Sequence, residues 1–335
     1  MCVRVVGRRF RVFGVLALAA AVPASVASPA PAVRSDDGSA LIRTRSIRYT
    51  AHDGRVHRAF VVLPARYEDA IDPPIPLVIA LHGRGTEPDT MLERFGDLPA
   101  IGRFALVSPE GQGRRLRRFS WGYRRQIDDL AHMPRAVERV LPVTVDRTRI
   151  YAFGTSMGGQ EALLLAARHP DFLAGVAAFD ATTDFALQYW NFGKLVCRFH
   201  CGPMSGARLG AELRRLARVE VGGAPTTVAA RFAARSPLHY ARKLAVAAVP
   251  LQLWWSANDS VVREPQRQSG ALFDRLSELN PSMPMEGFVG RWSHATMMNP
   301  AIGVPIALAR FGLLPASYNR VPANIEIRGP APLSR

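Results

Sequence analysis

Five residues, Gly154-Thr155-Ser156-Met157-Gly158, constrain this 335-residue chain more than any other stretch. They set a serine between two glycines, directly after an apolar run at 149–153 that reads as a buried strand. Residues 160–168, Gln-Glu-Ala-Leu-Leu-Leu-Ala-Ala-Arg, follow as strong helix formers. A strand that turns into a helix through one serine leaves no room for side chains two positions either side, and glycine removes them. The pattern predicts a nucleophile elbow, with the hydroxyl at a helix start. The rest of the chain repeats the alternation. A hairpin is expected at 47–50 and 57–63 around Asp53-Gly54, then strands at 77–81, 104–107, 150–153, 175–179, 251–255 and 285–289 with helical patterns between them. That order predicts an α/β fold with a mostly parallel central sheet and helices on both faces.

A serine hydroxyl attacks only when a base takes its proton and a carboxylate holds that base in the right tautomer. The apolar run Pro250-Leu251-Gln252-Leu253-Trp254-Trp255 empties into Ser256-Ala257-Asn258-Asp259, which puts Asp259 just beyond a late strand. Trp292-Ser293-His294-Ala295 supplies the only histidine downstream of it. Asp180 and Asp184, after the run at 175–179, are rival carboxylates, and Asn258-Asp259-Ser260 is also plain turn chemistry. The other seven histidines fall in the hairpin, in helices, in the insertion at 184–241 or on the strand before the elbow, and none is as well placed as His294.

Leu77-Val78-Ile79-Ala80-Leu81 is apolar throughout, as a strand buried on both faces should be, and it ends in His82-Gly83-Arg84-Gly85. The succession His-Gly, Gly-x-Ser-x-Gly, Asp, His resembles the α/β-hydrolases, in which the chain order is serine, acid, histidine. The resemblance implies Ser156, His294 and Asp259 as nucleophile, base and orienting acid. It implies the backbone amides of Met157 and Arg84 as oxyanion donors, with His82 a structural hydrogen-bonder.

Two families share finer wording. Val221-Gly222-Gly223-Ala224-Pro225, Ser236-Pro237-Leu238-His239-Tyr240-Ala241, Asn258-Asp259-Ser260-Val261-Val262 and Gln268-Ser269 are similar to the stretch leading to the acid in prolyl oligopeptidase catalytic domains. Leu77 through Gly83, Val145-Asp146-Arg147-Thr148-Arg149-Ile150-Tyr151 and Ser156-Met157-Gly158-Gly159 are similar to secreted feruloyl esterases and polyhydroxybutyrate depolymerase-like esterases. The likeness covers residues 45–312. It implies a serine hydrolase that forms an acyl-enzyme without metal or organic cofactor, acting on small-molecule or polymer esters. A peptidase and a catalytically silent binding protein on the same frame are the alternatives. The segment ahead of the first core strand is too short for the β-propeller of prolyl oligopeptidases, and paired glutamates for a free amino terminus are missing, so an ester is the favoured substrate.

Arg4, Arg8, Arg9 and Arg11 precede an apolar stretch at 12–22 that is too short to span a bilayer, and Ser25-Val26-Ala27 offers small residues for cleavage. Residues 1–27 therefore read as a signal peptide for a secreted, extracytoplasmic protein, 28–44 as a linker, 45–312 as the catalytic domain and 313–335 as a loosely ordered tail. Export to an oxidising space makes Cys197 and Cys201 an expected disulfide, and with His200 alone they form a poor zinc set. Residues 184–241 break the alternation and read as a lid. Its aromatics Tyr189, Trp190, Phe192 and Phe199 line a subsite or form the lid's own core, while Trp121 and Trp292 are candidate substrate-binding residues.

Lys and Arg number 43 against 27 Asp and Glu, a net charge of +16. Arg114-Arg115-Leu116-Arg117-Arg118 and Arg124-Arg125 concentrate that charge in a surface that attracts anions, suited to an anionic cell envelope or a carboxylate-bearing substrate. An exported chain with no nucleic-acid module argues against nucleic acid as a partner.

Overall fold

The computed structural model describes residues 41–195, 206–298 and 302–329. Nine strands form one sheet in the order β1-β2-β4-β3-β5-β6-β7-β8-β9. β1 (Ile42–Thr50) and β2 (Val56–Pro64) make the expected antiparallel hairpin, closing Thr50 against Val56, with Gly54 at φ 76° in the turn. β3 (Ile75–Leu81), β4 (Ala105–Pro109), β5 (Val145–Thr155), β6 (Gly175–Phe179), β7 (Leu251–Ser256) and β8 (Met285–Gly290) are parallel to one another. β2 joins β4 antiparallel, and β9 (Glu326–Arg328) joins β8 antiparallel.

Side chains alternate between two apolar layers because the strand repeat is two residues. On β3, Ile75, Leu77, Ile79 and Leu81 enter one layer and Val78 and Ala80 the other. The first layer is closed by helices Arg124–Ala131, Met133–Val140, Met157–Arg168, Ala241–Ala247 and Ser269–Leu279, and the second by Pro88–Phe95 and Gly303–Arg310. A sheet covered on both faces explains why strands such as β3 carry no polar residue. Gln252 is a polar residue inside β7, and its amide is satisfied: Nε2 donates to Ala307 O at 3.1 Å and Oε1 accepts Trp254 Nε1 at 3.3 Å.

The described part of the insertion at 184–241 is helical, with Phe185–Asn191, Gly206–Val221 and Ala229–Ala233. Tyr189 and Phe192 are buried in its own apolar cluster, and Trp190 is exposed. That cluster also takes in Trp121 and Met157, so the insertion packs onto the start of the helix that follows Ser156. The segment expected to be a loose tail differs from that expectation as far as residue 329. Leu313, Leu314 and Ile325 are buried, and β9 adds a strand to the sheet edge. Three short polar-flanked residues give no periodicity to read, which is why the strand escaped the sequence. The expected signal peptide, Phe199, His200 and the expected disulfide of Cys197 and Cys201 lie outside the described residues. Among the described residues, no helix is long and apolar enough to cross a membrane.

Candidate active site

Ser156 sits between β5 and helix Met157–Arg168 at φ 56° and ψ −115°, a backbone conformation that costs a non-glycine residue on the order of 1–3 kcal/mol. The turn is held by Ser156 N donating to Phe179 O at 2.9 Å and by Gln160 N donating to Ser156 O at 3.0 Å. The flanking glycines are sterically required. A Cβ at Gly158 would lie 2.2 Å from Leu81 O, and one at Gly154 would lie 2.5 Å from the Gly158 carbonyl carbon. The half-buried Ser156 side chain makes no hydrogen bond among the described residues.

Gly83 follows β3 and approaches the same point, since its Cβ would stand 3.8 Å from Ser156 Cβ. The backbone N–H groups of Arg84 and Met157 have no protein acceptor among the described residues. His82 is buried between them and the loop after β4. Its Nδ1 donates to Gly83 O at 3.0 Å and its Nε2 accepts Gly111 N at 3.3 Å, while burial holds it below the ordinary imidazole range. Both ring nitrogens are therefore used on backbone.

Asp259 follows β7 and is buried. Its Oδ1 accepts the amides of Val261 at 2.7 Å and Val262 at 2.8 Å, and its Oδ2 accepts Nδ1 of His294, which follows β8, at 2.8 Å. Burial acts against a charged His294 ring, but the charge and hydrogen bond of Asp259, joined by the charge of Asp180, raise it above the ordinary imidazole range. Asp180, the first rival acid, stands in the same cluster: a carboxylate oxygen of each aspartate and a ring nitrogen of His294 lie within 4.8 Å of one another. Burial, reinforced by the charge of Asp259, pushes Asp180 well above the usual carboxylate range. Asp184, the second rival, caps helix Phe185–Asn191 by accepting Leu187 N at 2.9 Å.

Two further residues organise these loops. Ser256 Oγ donates to Trp292 O at 2.5 Å and accepts Asn258 N at 3.0 Å, tying the Asp259 loop to the His294 loop. Gln268 Oε1 accepts Thr183 N at 2.9 Å and Asp184 N at 2.7 Å, fixing the start of the insertion. Ser256 closes a strand and reads as turn chemistry, so sequence carried no signal for its role. Trp292 is buried, its Nε1 committed to Asp180, and Trp121 is buried in stacking contact with Phe185 at 5.7 Å between ring centroids. Neither indole stands free as a pocket wall; each is held by packing under a loop of the site.

All of these groups lie beyond the carboxyl ends of β3, β5, β6, β7 and β8, the edge where open α/β sheets place their sites. No family model matches the chain. The Nocardia uniformis subsp. tsuyamanensis protein NocK, assigned as an esterase, is 37% identical over 115 residues, 31% of this chain and 32% of NocK, so the match spans about a third of that relative. The Pyrococcus horikoshii acylaminoacyl peptidase superposes with a TM-score of 0.57 at 16% identity over 78% of this chain and 39% of its own. Staphylococcus aureus S-formylglutathione hydrolase FrmB superposes with a TM-score of 0.52 at 15% identity over 76% of this chain and 92% of its own. A strained serine at the end of a central parallel strand, in a sheet of this order with these likenesses, shows that the chain has the α/β-hydrolase fold.

Proposed function

We propose that the chain is an exported serine hydrolase that cleaves carboxylic esters through an acyl-enzyme. The observation that carries the reading is the 2.8 Å bond from His294 Nδ1 to Asp259, which leaves Nε2 as the nitrogen able to take a proton. Ser156 Oγ attacks the ester carbonyl, its proton passes to His294 Nε2, and the negative oxygen is received by the Met157 and Arg84 amides. As the acyl carbon–oxygen bond breaks, the imidazolium returns that proton to the departing alkoxide. Water then repeats the sequence and releases the acid. Ser156 Oγ has no hydrogen bond among the described residues, and its bond to His294 Nε2 is one that forms with substrate present.

An ester is favoured by the similarity to NocK, assigned as an esterase. Export is supported by the basic and apolar N-terminal pattern, and the exposed arginines at 114, 115, 117 and 118 suit an anionic envelope. Fluorophosphonate labelling tests the reading. Wild type labels and Ser156→Ala does not, with turnover of p-nitrophenyl esters falling by several orders of magnitude. Cleavage of aminoacyl anilides in preference to esters would assign a peptidase, and an unlabelled wild type would assign a silent binding protein.

A further inference from the structure

We propose that the Arg84 side chain recognises a carboxylate carried by the substrate, an inference that rests on the serine-hydrolase reading. Arg84 follows Gly83, whose Cβ would stand 3.8 Å from Ser156 Cβ, so its side chain starts beside the nucleophile. Its guanidinium lies over the Phe119 ring, 5.4 Å from the centroid, and Phe119 packs on Trp121 at 6.3 Å. Trp121 belongs to the same apolar cluster as Met157, the residue after the nucleophile. The cation thus sits over Phe119, at the edge of the buried aromatic cluster that also holds Met157.

Among the described residues, three arginines have an Nε sealed from solvent without an acceptor: Arg43, Arg84 and Arg168. Arg43 donates through another nitrogen to Tyr67 O, and Arg168 to Ala234 O and Tyr240 Oη. Arg84 donates through none among the described residues. Burial disfavours its charge, and the carboxylate that offsets this is Glu212, which is held at 2.7 Å through both oxygens by Arg215. A half-desolvated guanidinium with its fork unfilled matches a planar carboxylate, which accepts two parallel N–H groups. A single guanidinium suits a single negative charge.

Two substrate pairs test this: 4-nitrophenyl hydrogen adipate against 4-nitrophenyl hexanoate, and 4-acetoxybenzoate against methyl 4-acetoxybenzoate. They place the carboxylate on the acyl side and on the leaving side. The readout is the ratio of kcat/KM for the anionic over the neutral member, which cancels any loss common to both, including a disturbed amide at position 84. In Arg84→Met, with the fold checked by circular dichroism, the ratio falls at least about tenfold in one pair, and Arg84→Lys restores part of it. A ratio unchanged in both pairs, in a protein that labels with fluorophosphonate and hydrolyses the neutral esters, overturns the carboxylate site and leaves the hydrolase reading standing. A wild type that neither labels nor hydrolyses any of the four esters overturns both.

Discussion

Trp292 Nε1 donates to both carboxylate oxygens of Asp180, at 3.0 and 3.1 Å, and the same carboxylate accepts Ala295 N at 2.9 Å. Both flanks of His294 therefore hang on one residue. Asp180 also contributes negative charge toward the His294 ring, one of the causes that raise it. Asp180→Asn keeps an acceptor for the flanking N–H groups and removes the charge, so the imidazolium loses support and its pKa falls. The acid limb of the kcat/KM profile, which reports the neutral base in the free enzyme, is expected to move to lower pH. The macroscopic limb is the quantity to compare. A limb that stays in place or moves upward contradicts this role.

Gly158→Ala separates the geometry of the elbow from its chemistry. The new methyl would lie 2.2 Å from Leu81 O and 2.8 Å from His82 O, both backbone atoms of the strand that leads to Gly83. Neither can yield without moving the Arg84 amide or the serine. Stability is expected to drop by about 2–4 kcal/mol and ester turnover by at least about a hundredfold in whatever protein folds, as a misplacement near 1 Å does elsewhere. Denaturant titration beside active-site labelling distinguishes the two losses, and wild-type values in both would remove steric necessity as the reason for this glycine.

Most of the architecture was legible because it rests on local signals. Apolar runs of β3, β6 and β7 and the glycines around Ser156 are dictated by burial and by contact at 2.2–2.8 Å, and both leave marks in sequence. The Asp259 and His294 pairing was legible from order along the chain, although the 2.8 Å contact joins residues from the loops after two strands. What stayed hidden depends on long-range closure. The clamp by Asp180 on Trp292 and Ala295 spans more than a hundred positions, and nothing in Phe179-Asp180-Ala181 announces it. Likewise Trp121 and Trp292 read as pocket aromatics, but an indole that finds a partner for its N–H or a ring to stack on packs inward.

Glu161 is buried in the helix after the elbow, hydrogen-bonded to Ser120 Oγ. Burial pushes it up to about 7, against the opposing help of Ser120, Gly122 and the charge of Arg235. A folded pKa above the unfolded value means that its contribution is fully present below about pH 4.5 and is lost as pH rises through about 7. That loss is on the order of 3 kcal/mol. Glu161→Gln keeps the shape and cannot ionise, so its stability relative to wild type is expected to rise with pH between those limits and level off above. Urea titrations at pH 4.5, 6 and 8 measure the difference, and a difference flat in pH would show that Glu161 is ionised throughout.

Glu220 closes the far side of this network, and its partners differ in what they leave behind when removed. Its carboxylate is buried and accepts Arg235 at 3.0 Å together with the amides of Arg114 at 2.6 Å, Arg115 at 2.8 Å and Leu116 at 2.9 Å. Helix Gly206–Val221 of the insertion thereby anchors the loop that leads to Phe119, Ser120 and Trp121. In Arg235→Met the glutamate keeps three amide donors, so the remaining charge stays solvated by dipoles. In Glu220→Leu three amides lose their acceptor, and the buried Arg235 guanidinium loses its counter-charge and keeps only the Ser120 and Trp121 carbonyls. Glu220→Leu is therefore expected to cost about 3–5 kcal/mol and Arg235→Met clearly less, while the double variant costs less than the two losses added. Because the loop carries Trp121 against Met157, Glu220→Leu should also expose 111–119 to limited proteolysis and lower ester turnover, and Arg235→Met should leave that loop protected. Equal costs for the two single variants would mean that the ion pair, rather than the cradle of amides, fixes the loop beside Ser156.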